Sequence, residues 1–248
     1  MIDYKSFATD KLEPYVEFTF LIDGQSVEYV KKKNHLFQAE VAISVDLIQA
    51  DSIVERLSFI LTSQEFQDSV QIGKPDFLTI ENVKLSNGDY EMLFTLQDLN
   101  SERQPLRYED FLQLHFEPET ISLSAISLLS QIEASEQEHI YNKYGYIMTP
   151  LYFGYTPEEM STLPYMIEIY NSDKVLGKNK LFLVKTFVET FETGEPILGQ
   201  PLYFVEKKSD PVVIFLHQFN IYTLRSGNYN LVVEILHQDS SLIASQKV

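Results

Sequence analysis

Cysteine and tryptophan are both absent from this sequence, and glycine is scarce, at 9 of 248 residues. Without cysteine there can be no disulfide, no thiolate metal site and no cysteine nucleophile. Without tryptophan, any carbohydrate platform would have to be built from tyrosine or phenylalanine. Positive charge is also in deficit: 19 Lys and Arg against 36 Asp and Glu give a formal net charge of -17, divided as -10 up to Phe116 and -7 beyond it. Affinity for polyphosphate comes mostly from Lys and Arg neutralisation with counterion release, so neither nucleic acid nor an anionic lipid surface is an expected partner. The one basic run, Lys31-Lys32-Lys33, reads as a solvated hairpin tip. No run of 18 apolar residues occurs, so no transmembrane segment is expected in this chain, and MIDYKSFATDK lacks the apolar core of a signal peptide.

Catalytic signatures are missing as well. There is no G-x-S-x-G elbow, P-loop, G-x-G-x-x-G or H-E-x-x-H. The five histidines, His35, His115, His139, His217 and His237, show no metal-ligand spacing. Glu158-Glu159 is the most visible carboxylate pair, but in YTPEEMS it reads as a short helical turn with Thr156 as N-cap and Pro157 as the first residue. QDLNSE at Gln97–Glu102 offers oxygen ligands without the spacing of an EF-hand. No catalytic residue, cofactor or metal is assigned, and the chain is not expected to be an enzyme.

What the sequence does contain is 44% hydrophobic residues, including 15 Tyr and 17 Phe, the content of a folded chain. Three segments recur in order. VEF at Val16–Phe18 returns as IEI at Ile167–Ile169, KNHLF at Lys33–Phe37 as KNKLF at Lys178–Phe182, and LSNGDYEMLFTL at Leu85–Leu96 as LRSGNYNLVVEI at Leu224–Ile235. The separation shrinks steadily, from 151 to 145 to 139 residues, as it would for two copies of one fold whose second copy has shorter loops. The matched segments alternate apolar and polar residues at period two, and helical periodicity is scarce. The expected architecture is all-β: two tandem immunoglobulin-like β-sandwich domains, at 1–118 and 145–248, with a connector at 119–144. Ile121–Ile132 reads as an irregular strand or short helix, followed by acidic EASEQE.

In L-x-x-G-[DN]-Y, Gly88 and Gly227 are suited to positive-φ turns. Tyr90 and Tyr229 are suited to a tyrosine corner, with each hydroxyl bonded back to the backbone. Glu17 and Glu168 interrupt apolar strands and are expected to face solvent. Adding 139 to the closing strand of the first copy, Arg107–Phe116, puts its counterpart at about 246–255. The second domain is therefore expected to be truncated at its last strand, in a natural protein that continues further.

Two surfaces are open to function. Faces and edge strands of sandwiches dock proteins, including by strand addition. Alternatively, the tyrosine-rich IYNKYGYIMTPLYFGY offers Tyr141, Tyr144, Tyr146, Tyr152 and Tyr155 as contacts for a glycan or peptide, where strand and interdomain packing would be the ordinary role of such a run.

PYVEFTFLIDGQSVEY, LSNGDYEMLFTLQD, SAISLLSQIEASE followed by YNKYGYIMTP, LPYMIEIYN and LRSGNYNLVVEI together resemble the N-terminal region of GWxTD-domain proteins of the bacterial cell envelope. The motif that names that family is absent here, as a sequence without tryptophan requires. The resemblance implies export to the periplasm or outer membrane, with the signal or lipid anchor outside this chain, and a protein partner in the cell envelope. It supplies no catalytic residues.

Overall fold

A computed structural model describes residues 1–67 and 73–248. The chain divides into two compact units, the first made of 1–4 and 14–115, the second of 5–13 and 116–248.

The first unit contains the start of β1 (Ile2–Ala8), then β2 (Pro14–Ile22), a small hairpin of β3 (Val30–Lys31) and β4 (Phe37–Gln38), β5 (Glu40–Gln49), β6 (Ser52–Thr62), β7 (Phe77–Lys84), β8 (Gly88–Asp98) and β9 (Leu106–Leu114). One sheet runs β1-β2-β7 and the other β6-β5-β8-β9. The period-two pattern explains the core. Val16, Phe18 and Phe20 of β2, Val41, Ile43, Val45 and Leu47 of β5, and Met92 and Phe94 of β8 recur at every second position and are all buried. Phe18 and Phe94 meet edge to face, with ring centroids 6.1 Å apart.

The second unit contains β10 (Ser122–Leu123), β11 (Ser127–Ala134), β12 (Asn142–Lys143), β13 (Tyr146–Pro150), β14 (Thr162–Tyr170), a one-turn helix at Ser172–Leu176, β15 (Leu181–Thr190), β16 (Tyr203–Lys208), β17 (Val212–Asn220), β18 (Tyr229–Leu236) and β19 (Leu242–Lys247). Its second sheet, β16-β15-β18-β19, repeats the order of β6-β5-β8-β9. In its first sheet, β14 lies between β17 on one side and β10 with the start of β11 on the other. That matches the placing of β2 between β7 and β1. The three recurring segments accordingly fall on equivalent elements: β2 and β14, the entries to β5 and β15, and β8 and β18. Inside, Tyr165, Ile167 and Ile169 pack with Phe182, Val184, Phe215, Phe219, Val233 and Ile235. The Tyr165 hydroxyl and Thr186 Oγ1 are hydrogen-bonded at 2.8 Å within this core, tying β14 to β15.

Both tyrosine corners form, at the same offset. Tyr90 donates to Ser86 O at 2.8 Å and Tyr229 to Arg225 O at 2.9 Å. The two glycines differ. Gly88 has positive φ, at 152°, whereas Gly227 does not. A Cβ at Gly227 would lie 3.0 Å from the Tyr229 hydroxyl, so space beneath the tyrosine explains that glycine.

Two boundary expectations are corrected. The stretch 119–144 is no connector, because its apolar residues Ile121, Ile126 and Leu129 are buried in the second unit, where β10 and β11 pair with β14. The closing strand expected at about 246–255 lies earlier. β19 pairs with β18 from Val232 to Leu236, since the hairpin His237–Ser241 is shorter than the Leu99–Pro105 loop that joins β8 to β9. Glu158-Glu159 does sit in a turn, closed by Met160 N–H on Pro157 O, but among the described residues Thr156 makes no cap hydrogen bond to it.

Candidate functional site

Among the described residues, the second unit carries an addition that the first does not. After Leu128, β11 leaves β14 and pairs instead with β13, through an irregular register at Leu129–Gln131. β13 turns back on β12 through two residues, Tyr144 and Gly145, with φ of 56° and 80°. Positive φ at both central positions is the geometry that matches the twist of a two-residue hairpin. Glycine adopts it freely, whereas for an aromatic residue it is strained.

A buried carboxylate holds that tyrosine in place. Glu168, 1% exposed, accepts from the Tyr144 hydroxyl at 2.8 Å and from the Tyr170 hydroxyl at 2.6 Å, and lies 3.3 Å from Lys143 Nζ. The Tyr170 hydroxyl in turn accepts from Ala8 N–H at 3.0 Å. The Glu168 backbone N–H donates to Ser124 Oγ at 2.9 Å. Lys143 Nζ also sits 3.6 Å from the centre of the Phe7 ring. A carboxylate away from water survives only when paired and hydrogen-bonded, and here both conditions are met. The expectation that Glu168 faces solvent is therefore corrected. Period two did point it away from the core between the sheets, but residues 5–13 and the β12–β13 hairpin belong to the same unit and help enclose that outer side of β14. Its counterpart Glu17, level with Asn82 of β7, remains half-buried.

Beside the hairpin lies an open depression of about 450 Å³ lined by Ile132, Tyr146, Leu216, His217 and Gln218. Leu216 to Gln218 belong to β17, whose register against β14 runs unbroken from Val212 to Asn220. Among the described residues β17 pairs with β14 alone, so its other edge is open. His217 packs its ring against Tyr203 and Phe215, at 5.5 and 5.6 Å between centroids. Its Nε2 is buried with no hydrogen-bond partner among the described residues. Burial, with Lys207 adding to it, holds this imidazole below its ordinary range, so it sits neutral in the sandwich.

The five tyrosines singled out in the sequence are distributed, not gathered. Tyr141 and Tyr152 share a hydroxyl–hydroxyl hydrogen bond of 2.6 Å. Tyr144 serves Glu168, Tyr146 lines the depression, and Tyr155 is 69% exposed on the loop that leads to β14. The other histidines also lie apart: His115 faces Asp89 at 3.1 Å, and His139 accepts from Tyr141 N–H at 3.2 Å. Sequence reading missed Lys143, Glu168 and Tyr170 as a group, and β17 as an open edge. The one available signal was the absence of any charged residue from VVIFLHQFN.

No family model matches the chain, and no curated protein does. Among solved structures, a glycosyl hydrolase family 2 member from Bacteroides cellulosilyticus is similar at a TM-score of 0.35 and 11% identity, over 94% of this chain and 26% of that one. The chain thus spans about a quarter of that protein's length, and the likeness is too distant to speak to function.

Proposed function

We propose that the chain is a non-catalytic protein-docking module, with the second unit as the docking half and the β17 side as its contact surface. The supporting observation is the nine-residue edge of β17, open along one side and bordered by the depression at Tyr146 and Leu216. An open edge offers backbone donors and acceptors to an extended partner segment, and an adjoining pocket gives side-chain selectivity. The resemblance to the N-terminal region of GWxTD-domain proteins sets this role in an exported protein of the bacterial cell envelope, with a protein of that compartment as partner.

Site-specific photo-crosslinking in cells tests this reading. A photoreactive residue at Gln218 should give a discrete protein adduct, and one at Asp89, exposed on β8 of the first unit, should not. Equal adducts from both positions, or none from Gln218, would overturn it. A glycan- or peptide-binding reading rests on the partly exposed ring of Tyr146 in the depression. Titration of intrinsic tyrosine fluorescence with cell-wall fragments addresses it: a saturable change lost in Tyr146→Ala supports it, and a flat response removes it.

A further inference from the structure

We propose that the β17 edge takes an antiparallel strand from another protein, a segment uncharged and apolar where it lies along residues 214–218 and basic in its flanks. The proposal rests on the docking reading above and deepens it by stating the chemistry of the partner.

The ladder between β14 and β17 fixes which backbone groups are open. It is bracketed by two hydrogen bonds, from Asn171 N–H to Pro211 O at 2.8 Å and from Ile221 N–H to Ser161 O at 3.0 Å. Both continue the register that sets Tyr170 opposite Val212 and Thr162 opposite Asn220. Directly opposed residues of an antiparallel pair alternate between bonded and non-bonded. The bonded set on β17 is therefore Val213, Phe215, His217 and Phe219. Ile214, Leu216 and Gln218 turn their N–H and C=O the other way, and among the described residues these groups meet no backbone partner.

The same three residues carry their side chains on the outer face, opposite Phe215 and Phe219, which are buried in the sandwich. In an added antiparallel strand, a residue that exchanges both hydrogen bonds with Leu216 lies directly opposite it and shares its face. Its side chain is thus presented to the depression formed with Ile132 and Tyr146. One residue of the partner is read twice, by backbone and by pocket.

Charge then selects the occupant. No residue of that lining carries a fixed charge, and none does in β17. A charged side chain seated there would lose water without gaining a counter-ion, whereas a leucine-sized apolar one covers Ile132, Leu216 and the Tyr146 ring. The rim, by contrast, is acidic. Glu133 follows Ile132, Glu158-Glu159 precede Ser161 at one end of the ladder, and Asp210 precedes Pro211 at the other, all exposed. The neighbouring cations are engaged elsewhere: Lys143 pairs with Glu168, while Lys207 and Lys208 belong to the other sheet, with Lys207 Nζ on the sandwich side, 5.3 Å from the centre of the Phe215 ring. With a net charge of -17 behind that rim, basic flanks are attracted and a second acidic copy is repelled.

Binding of a labelled synthetic peptide to the whole chain, followed by fluorescence anisotropy, tests the proposal. The probe alternates threonine and valine around a central leucine, with valine at the same parity as the leucine and a pair of lysines at each end. We expect saturable binding that weakens as salt rises, because screening removes the attraction of the acidic rim. Glutamates in place of the terminal lysines should weaken it by about tenfold or more, as should aspartate in place of the leucine. N-methylation of the valines should cost about tenfold or more and that of the threonines little, because only the apolar set turns its N–H toward β17. Gln218→Pro removes one outward N–H and spares the β14 ladder, so it should lose the peptide with its unfolding midpoint nearly unchanged. Absence of saturable binding, equal binding of the glutamate-ended peptide, or equal loss from both methylation patterns overturns the proposal; the methylation pair needs no change in the protein. The docking reading is judged separately by the Gln218 crosslink, and an adduct on a charged segment of the partner overturns the stated chemistry while leaving docking intact.

Discussion

The Tyr144 hydroxyl donates to Glu168 Oε1 across 2.8 Å, joining a turn residue in the left-handed region to a carboxylate that is 1% exposed. Each explains the other. The strained turn persists because the carboxylate fixes its side chain, and the carboxylate tolerates burial because Tyr144, Tyr170 and Lys143 surround it. Glu168→Ala should therefore destabilise the second unit by about 2–4 kcal/mol, since it leaves a partly buried lysine without its counter-charge. Tyr144→Phe should cost about 1–2 kcal/mol, the usual penalty for an acceptor left short of a donor. Urea unfolding followed by tyrosine fluorescence measures both, and a ranking with Tyr144→Phe the more damaging would contradict the central place given to Glu168.

The paired tyrosine corners separate geometry from burial. Tyr90 and Tyr229 make the same bond at the same offset, but Tyr90 is 4% exposed, while the Tyr229 bond lies at the surface. Removing a hydrogen bond costs more where water cannot replace it. Tyr90→Phe should lower stability by about 1–2 kcal/mol and Tyr229→Phe by about half a kilocalorie or less, as read from unfolding midpoints.

Much of the architecture was legible because it is written at short range. Alternation at period two marks β2, β5, β8 and their counterparts, and L-x-x-G-[DN]-Y marks both corners, since each depends on residues within about one strand of each other. The site was less legible for the opposite reason. Alternation says which way Glu168 points, but not that residues 5–13 and a hairpin more than 20 positions upstream share its unit. The tyrosine-rich run announced itself by composition, yet the partners of Tyr144 and Tyr146 lie in β14 and β17, beyond any local pattern. The closing strand β19 was misplaced because a constant separation was assumed across a hairpin that had shortened.

His217 gives the second unit a pH dependence of known sign. Its folded-state affinity for protons is lowered by burial, so below about pH 6.5, the ordinary imidazole value, the unfolded chain takes up a proton that the folded chain resists. Its contribution is complete above that pH and is lost as pH falls through the lower folded-state value. Denaturation midpoints should decline from pH 7 toward pH 5 more steeply in the parent chain than in His217→Phe, a ring that suits the neighbouring Tyr203 and Phe215. Parallel curves would show that His217 is not held neutral.

Within the same core, Tyr165→Phe should be costlier than its lost bond suggests. The substitution strands Thr186 Oγ1, in a residue that is 0% exposed. A buried hydroxyl left without its partner costs about 1–3 kcal/mol. The double variant Tyr165→Phe with Thr186→Val should recover part of that loss, and a strictly additive pair would contradict the tie between β14 and β15.

Amide hydrogen exchange along β17, in the free chain and again in the chain joined to the partner captured by crosslinking at Gln218, tests most directly whether the second unit docks through this strand. The account predicts that in the free chain β17 exchanges faster than β14, which is paired on both sides, and that the bound partner brings β17 to comparable protection. Protection that rises elsewhere on the chain while β17 stays unchanged would contradict it.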